Sequence, residues 1–326
     1  MNLVWLWISL GAVGFLALAT LATAFICYRL MLYSKPRHLP GEGEYEIPEG
    51  EIYEAFREDM IAWTNMIRAY PYREYAIKSH DGLTLRAKFY EYEAGAPIEL
   101  MFHGYRGYAE RDLSGGVERC FRLGHSALLI DHRGAGLSDG SLITFGILER
   151  RDCLAWVDFA VKEFGADAKL ILTGISMGAA TVMMATGGPL QDNVKAAVAD
   201  CGFTNLEHLL RYSFNRMGHK AISLPAPMPF KALFGLLRKT VLRRAGYDLK
   251  DVVPQEAVAR SKTPTLFIHG GCDEVVPPEM MGKLYEAARC PKRYLIVPAA
   301  THADSAGVDP KRYWEAVESF LNRYMN

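Results

Sequence analysis

The feature that most constrains the fold is a serine between two glycines, at the junction of an apolar segment and a helix-forming segment. Residues 174–178 read Gly-Ile-Ser-Met-Gly, between a strand pattern at 170–173 and a helical pattern at 179–184. Small residues let the chain turn sharply from strand to helix, so that the hydroxyl of Ser176 stands clear of the backbone. The first amides of the helix lack carbonyl acceptors and point toward any group that this hydroxyl attacks. The pattern predicts a nucleophilic serine.

A second match to the same pattern lies earlier in the chain. Residues 136–140 read Gly-Leu-Ser-Asp-Gly, but they stand several residues past the strand pattern at 127–131 and open onto more loop. Clusters of Gly, Ser and Asp are typical of turns. We therefore predict that Ser138 is a turn residue.

Strand and helix patterns alternate from Tyr75 onward, beginning with a predicted hairpin whose strands, 75–79 and 85–90, flank Asp81 and Gly82. This alternation predicts an α/β fold with a mostly parallel central sheet and helices on both faces. Ligands then bind at the carboxyl ends of the strands. The strand candidates are 98–102, 127–130, 169–173, 196–200, 265–269 and 293–297, and the helix candidates are 117–123, 148–164, 177–186, 279–289 and 313–324.

Two later strand ends supply the groups that a nucleophilic serine needs, a base and a carboxylate that orients the base. The strand at 265–269 runs into a glycine turn that presents Asp273, and the strand at 293–297 is followed by His302. Both residues are predicted on the same sheet edge as Ser176. Asp200, at the end of the strand after the serine, is the alternative carboxylate.

Backbone amides are expected to stabilise the oxyanion. Met177 N–H is one donor because it follows the serine, and Tyr105 N–H in the loop at 103–107 is the best candidate for the second. His103 in that loop competes with His302 as the base, but its position in an early strand-end turn favours a loop-stabilising role.

Taken together, these motifs resemble those of an α/β-hydrolase of the serine-hydrolase type, across residues 75–324. The resemblance rests on the His-Gly loop at 103–104, the Asp-His-Arg-Gly-Ala-Gly-Leu-Ser segment at 131–138, residues 174–178, the Asp273 turn and His302. It is closest to a bacterial branch similar to FrsA-like and serine aminopeptidase-like hydrolases. In that family the 131–138 segment is structural. The resemblance implies a Ser-His-Asp hydrolase without a metal or cofactor.

The N-terminus carries 27 residues without a charge, from Asn2 to Tyr28. This length crosses a hydrocarbon core of about 30 Å. We predict a transmembrane anchor at 1–33; a signal peptide processed near residues 22–24 is the alternative, but it lacks a basic n-region. Arg29, Lys35 and Arg37 follow the span and favour a cytoplasmic catalytic domain over an extracytoplasmic one.

A spacer and an amphipathic helix at 51–68 make up residues 34–70, with the hydrolase domain at 71–326. The helix is expected to pack on that domain, with the bilayer surface as the alternative. Residues 203–250, which we call the lid segment, form an insertion with helical groupings, nine Lys or Arg and two acids. An insertion at this sheet edge predicts a lid over the active site.

Composition narrows the function. Lys and Arg number 37, as do Asp and Glu, which gives no support for a nucleic-acid partner. The six cysteines form no C-x-x-C pair, so neither a disulfide framework nor a zinc site is indicated. The prediction is a membrane-anchored serine hydrolase that cleaves carboxylic esters, acyl or lipid-like. The alternatives are a peptidase, aminopeptidase or thioesterase, and a non-catalytic binding protein; oligomeric state stays open.

Overall fold

The computed structural model describes residues 3–34, 39–48, 50–217 and 229–325. They form two compact units. One unit combines the N-terminal segment up to Tyr33 with Asn205–Val252, and the other combines Ser34–Thr204 with the segment from Val253 onward.

The second unit is built on an eight-stranded sheet. The strands are β1 (Arg73–Lys78), β2 (Thr84–Tyr90), β3 (Ile98–Phe102), β4 (Ser126–Ile130), β5 (Leu170–Ile175), β6 (Val194–Asp200), β7 (Thr265–Gly270) and β8 (Lys292–Val297). Their order in the sheet is β1-β2-β4-β3-β5-β6-β7-β8; β2 is antiparallel to both β1 and β4, and the remaining neighbours are parallel. The carboxyl ends of β3 to β8 therefore lie along one edge.

Helices cover the sheet on both faces. Adjacent residues of β5 show this: Leu172 packs in the cluster around Trp156, whereas Ile171 packs in the cluster around Phe320. Because side chains alternate along a strand, two apolar faces explain why the central strands are continuous apolar runs. The helices of this unit are α2 (Glu51–Glu54), α3 (Arg57–Ala69), α4 (Ala109–Arg122), α5 (Glu149–Phe164), α6 (Met177–Thr186), α9 (Pro254–Val258), α10 (Glu279–Ala287), α11 (Ser305–Val308) and α12 (Pro310–Met325).

This architecture confirms the predicted α/β fold, the hairpin and every strand candidate, with bounds that differ by one or two residues. The largest difference is α4, which begins at Ala109 rather than at residue 117. Gly115 and Gly116 interrupt the helical pattern in the sequence, yet they mark close packing instead of a helix start. A β-carbon on Gly115 would lie 2.9 Å from the Trp63 ring, and one on Gly116 would lie 2.2 Å from Met101 Cε.

The predicted amphipathic helix at 51–68 is two helices, α2 and α3, separated by a turn at Ala55 and Phe56. The turn brings the Phe56 ring against Gly307, where a β-carbon would lie 2.7 Å from it. Helix α3 packs on α4, as predicted, and the Trp63 indole N–H donates to Glu118 at 2.7 Å.

The first unit contains α1 (Leu3–Leu32), α7 (Leu206–Met217), α8 (Phe230–Ala245) and a short 3-10 turn, Leu249–Asp251. Among the described residues, α1 alone is long and apolar enough to cross a membrane by length and composition. Its last turns pack against α8. The lid segment is helical as predicted, although residues 218–228, like Lys35 and Arg37, lie outside the described residues. Its position over the active site stays a prediction.

Candidate active site

Ser176 occupies the turn between β5 and α6. Its φ of 56° is strained for a residue with a side chain, a conformation often found at functional sites. The turn requires glycine nearby, because a β-carbon on Gly178 would lie 2.1 Å from the carbonyl oxygen of Phe102, at the end of β3. The strand, the turn and the helix thus meet as the sequence predicts.

The structure brings Ser176, His302 and Asp273 together in a single hydrogen-bonded chain. His302 Nε2 lies 2.9 Å from Ser176 Oγ, and His302 Nδ1 lies 2.8 Å from Asp273 Oδ2. An ionised carboxylate can only accept, so Nδ1–H donates to Asp273 and leaves Nε2 free to accept the serine proton. The arrangement can therefore turn the hydroxyl into a nucleophile.

Asp273 is held as an ion. Burial alone would raise the pKa of this carboxyl, but hydrogen bonds from His269 and His302 outweigh burial and hold its pKa well below the usual range. Its Oδ1 also accepts the backbone N–H groups of Val275, at 2.9 Å, and Val276, at 2.8 Å. These donors fix the carboxylate and keep it charged at neutral pH.

His269 is the residue that sequence reasoning missed. It lies near the end of β7, fully buried, and its Nε2–H donates to the carbonyl of Val276 at 2.9 Å while lying 3.2 Å from Asp273 Oδ2. Asp273 Oδ2 thus faces two imidazoles. The signal was present in the sequence, since His269 precedes the glycine turn that presents Asp273.

Asp200, the alternative carboxylate, ends β6, but the surroundings of its side chain differ from those of Asp273. Burial raises the pKa of Asp200 to about 6, and the nearby His269 and Tyr313 oppose that rise. The backbone carbonyl of Asp200 accepts the N–H of Ser176 at 2.8 Å. Within the described part of the chain, the carboxylate at hydrogen-bonding distance from His302 is that of Asp273.

Of the two residues predicted to supply oxyanion donors, Met177 adjoins Ser176 in the chain, and Tyr105 adjoins Gly104, which lies against Ser176. Met177 is the first residue of α6, where amides have no carbonyl partner within the helix. Tyr105 follows Gly104, at which a β-carbon would lie 3.7 Å from Ser176 Cβ. The Tyr105 ring stacks on Phe145, with centroids 5.1 Å apart, and this contact steadies the loop.

His103 and Ser138 have the structural roles that the sequence predicts. His103 Nε2 accepts the N–H of His132 at 3.0 Å, so its Nδ1–H donates to the carbonyl of Gly104 at 2.8 Å, and burial lowers its pKa. Ser138 Oγ donates to the carbonyl of Asp131 at 2.7 Å and accepts from the N–H of Arg86 at 2.8 Å. These contacts agree with the predicted loop-stabilising role of His103 and the predicted turn role of Ser138.

The sheet and the site define an α/β-hydrolase. The sequence profile of the prolyl oligopeptidase family (Peptidase_S9) matches residues 144–326, and the chain belongs to that family.

The chain is similar to proteins from a bacterium, a plant and a yeast. YqkD of Bacillus subtilis is 30% identical over 200 residues, which cover 61% of this chain and 63% of that protein, so less than two thirds of the relative is matched. The α/β-hydrolase domain-containing protein WAV2 of Arabidopsis thaliana is 25% identical over 78% of this chain and 79% of its own length. An uncharacterised membrane protein of Saccharomyces cerevisiae is 27% identical over 61% of this chain and 62% of its own length.

Among solved structures, the esterase Pf2001 of Pyrococcus furiosus superposes with a TM-score of 0.66 at 19% identity, over 90% of this chain and 99% of that one. Est1E of Butyrivibrio proteoclasticus, with ferulic acid bound, has a TM-score of 0.55 at 21% identity, over 77% and 99% of the two chains. These likenesses bear on the fold alone.

Proposed function

We propose that the protein is a serine hydrolase that cleaves carboxylic esters through an acyl-enzyme. The observation that carries the proposal is the continuous chain from Ser176 through His302 to Asp273, with hydrogen bonds of 2.9 and 2.8 Å. A buried, ionised aspartate that orients an imidazole toward a half-buried serine hydroxyl is the arrangement that nucleophilic acyl transfer needs.

In the proposed reaction, His302 Nε2 takes the proton of Ser176 as Oγ attacks the ester carbonyl carbon. The amides of Met177 and Tyr105 stabilise the tetrahedral oxyanion. Collapse breaks the bond to the alcohol, which leaves with the proton from His302. Water then attacks the acyl-enzyme by the same route, again deprotonated by His302, and releases the acid and the free serine. Asp273 stays ionised throughout and stabilises the imidazolium.

A peptidase is the second candidate, because the family that the chain belongs to is named for an oligopeptidase. Two observations rank it lower. The lid segment carries nine basic residues and two acids, a charge balance that does not favour binding of the positively charged amino group of a peptide. Several solved structures of similar fold are esterases by name. Thioesters need the same chemistry and stay an alternative.

A non-catalytic binding protein is less well supported, because packing alone does not require a serine, a histidine and an aspartate in one relay. Within the superfamily, the His-Gly loop and the 131–138 segment support the branch similar to FrsA-like and serine aminopeptidase-like hydrolases.

The test uses a fluorophosphonate probe with panels of p-nitrophenyl esters, thioesters and peptide amides on the full chain. We expect probe labelling and ester cleavage, both lost by about 10⁴-fold or more in Ser176→Ala. Labelling of that variant at Ser138, or preference for peptide amides, would contradict the assignment.

Asp273→Asn and Asp200→Asn form a matched pair, since both acids are buried, Asp200 at the end of β6 and Asp273 in the turn after the neighbouring β7. Asp273→Asn should reduce kcat by about 10⁴-fold, because the imidazole loses its correct tautomer. Asp200→Asn should leave most of the activity. The reverse order would transfer the role of the acid to Asp200.

We further propose that α1 anchors the protein in a membrane as a single pass, with the catalytic domain in the cytoplasm and the extracytoplasmic side as the alternative. The support is the length and apolarity of α1, the basic Arg29 near its end and a yeast relative described as a membrane protein. A membrane location favours lipid-like or membrane-partitioned esters as substrates. Carbonate extraction and the intact mass of the chain distinguish an anchor from a cleaved signal peptide.

A further inference from the structure

Helix α1 has two parts that differ in burial. None of the residues 3–22 is buried, and bulky apolar side chains such as Trp7, Phe15 and Leu18 are exposed. At 1.5 Å per residue, these twenty residues extend about 30 Å, which matches the thickness of a hydrocarbon core. The bare part of α1 is therefore as long as the membrane layer that would cover it.

From Thr23 onward α1 packs within its own unit, chiefly on α8. The contact is marked by Arg244 of α8, whose guanidinium lies 5.0 Å from the centroid of the Phe25 ring and 6.0 Å from that of Tyr28. The buried residues of α1 are Thr23, Ala24, Cys27, Tyr28 and Leu32, and those of α8 are Leu233, Phe234, Leu237 and Val241.

This contact sets the depth of α8 relative to the bare part of α1. Phe25 is three residues beyond Ala22, which is about 4.5 Å along the helix axis. The polar interfacial layer on each side of a bilayer is roughly 5–7 Å thick. With residues 3–22 placed in a hydrocarbon core, the last turn of α8 would fall at the level of lipid headgroups, where Phe25 and Tyr28 also suit an interface.

The charge on α8 complements an anionic surface. The helix carries five basic residues and no acid. Arg238 pairs with Asp248, whereas Arg243 and Arg244 are exposed in the last turn, next to Leu242, which is 50% exposed. An exposed apolar residue beside two arginines is suited to the boundary between acyl chains and headgroups.

We propose that the last turn of α8 lies in the headgroup layer of the membrane that α1 crosses, and that Arg243 and Arg244 bind anionic phospholipid headgroups there. The inference rests on the proposed anchor and is independent of the proposed hydrolase chemistry. Each basic group near an anionic surface strengthens binding about fivefold, so the pair should contribute about 25-fold.

The test uses the full chain in nanodiscs made of phosphatidylcholine with an equal part of phosphatidylglycerol. Native mass spectrometry of the released protein then counts the phospholipids that stay bound. Arg243→Gln/Arg244→Gln is compared with Lys311→Gln/Arg312→Gln, a matched control that removes two exposed charges from α12 in the other unit. The wild type and the control should retain phosphatidylglycerol preferentially, and the α8 variant should lose that preference by roughly 25-fold.

Two results would overturn the proposal: an unchanged lipid preference in the α8 variant, or displacement of the lipid by inorganic phosphate alone. Release of the wild-type chain from membranes by carbonate would overturn the anchor and this inference together. Ester hydrolysis by the same preparation reports separately on the proposed function, so the failures are distinguishable.

Discussion

Removal of the charge on Glu99 should destabilise the second unit strongly. Glu99 lies in the middle of β3 with no exposed surface, and its carboxylate accepts from Arg119, from His125 at 3.1 Å and from Thr173 at 2.9 Å. Arg119 is itself buried, with only 6% of its side chain exposed. Glu99→Gln preserves the shape but leaves the guanidinium without a countercharge.

The expected loss of stability follows from the unpaired charge of Arg119 that Glu99→Gln leaves buried. Breaking a buried ion pair by neutralising one partner costs about 3–5 kcal/mol, whereas replacing both partners is often nearly neutral. A domain of this kind is stable by only about 5–15 kcal/mol in total. We therefore expect Glu99→Gln to lose about 3–5 kcal/mol, and Glu99→Gln/Arg119→Met to regain at least half of that loss because no unpaired charge stays buried.

The assay is urea unfolding of the full chain in mild detergent. Unfolding is monitored by the fluorescence of the tryptophans, among them the fully buried Trp156. Burial alone would raise the pKa of Glu99, but Arg119 and His125 outweigh it and lower the pKa from 4.5 to about 2. The contribution of this carboxylate is thus fully present above pH 4.5 and is lost as the pH falls toward 2, so the deficit of Glu99→Gln should shrink in acid. A deficit below about 1 kcal/mol, or a double variant as unstable as the sum of the two single variants, would refute the reasoning.

Other predictions concern the site and its support. Gly178→Ala should abolish probe labelling and lower Tm, because the new β-carbon would lie 2.1 Å from the carbonyl oxygen of Phe102. The control is Gly282→Ala in α10, where a β-carbon would meet nothing within 4 Å and should raise stability by about 0.5–1 kcal/mol. Equal effects of the two substitutions in calorimetry would contradict this prediction. Asp200 has its pKa raised to about 6 by burial, so its contribution to stability is full below 3.8 and is lost as the pH rises through 6. Asp200→Asn should accordingly raise Tm more at about pH 8 than at about pH 5. Thermal shifts without this trend would contradict the raised pKa of Asp200. His269→Leu removes a donor from Asp273 and should lower kcat for an ester about tenfold, while His269→Gln, which keeps an N–H, should retain most of the activity; similar losses in both would point to packing alone.

Most of the fold could be predicted because its signals are local. The central strands are buried on both faces, so they are continuous apolar runs that end in turn residues, and the patterns at 98–102 and 265–269 already stand out in the sequence. Ser176, Asp273 and His302 follow three such strands. Parallel strands in one sheet end at a common edge, so the sequence alone predicts that these residues come together.

The remaining features depend on contacts between distant segments. The extent of α4 was hidden because Gly115 is required by the ring of Trp63, a partner 52 positions earlier. The sequence leaves Asp200 and Asp273 as alternatives, since Asp200 ends one strand and Asp273 follows the end of another in the same sheet. In the folded chain the side chain of Asp200 lies near Tyr313, whereas the side chain of Asp273 contacts His302. The approach of His269 to Asp273 depends on the path of the turn between them.

The α/β class, the sheet edge that carries the site and the apolar N-terminal helix can all be predicted from the sequence, because periodicity and turn residues act over a few positions. The three-dimensional packing is needed to show which carboxylate contacts His302, which buried charges pair with Glu99, and that the end of α1 packs on α8. These outcomes depend on distances between side chains far apart in the chain, and no local pattern in a single sequence encodes such distances.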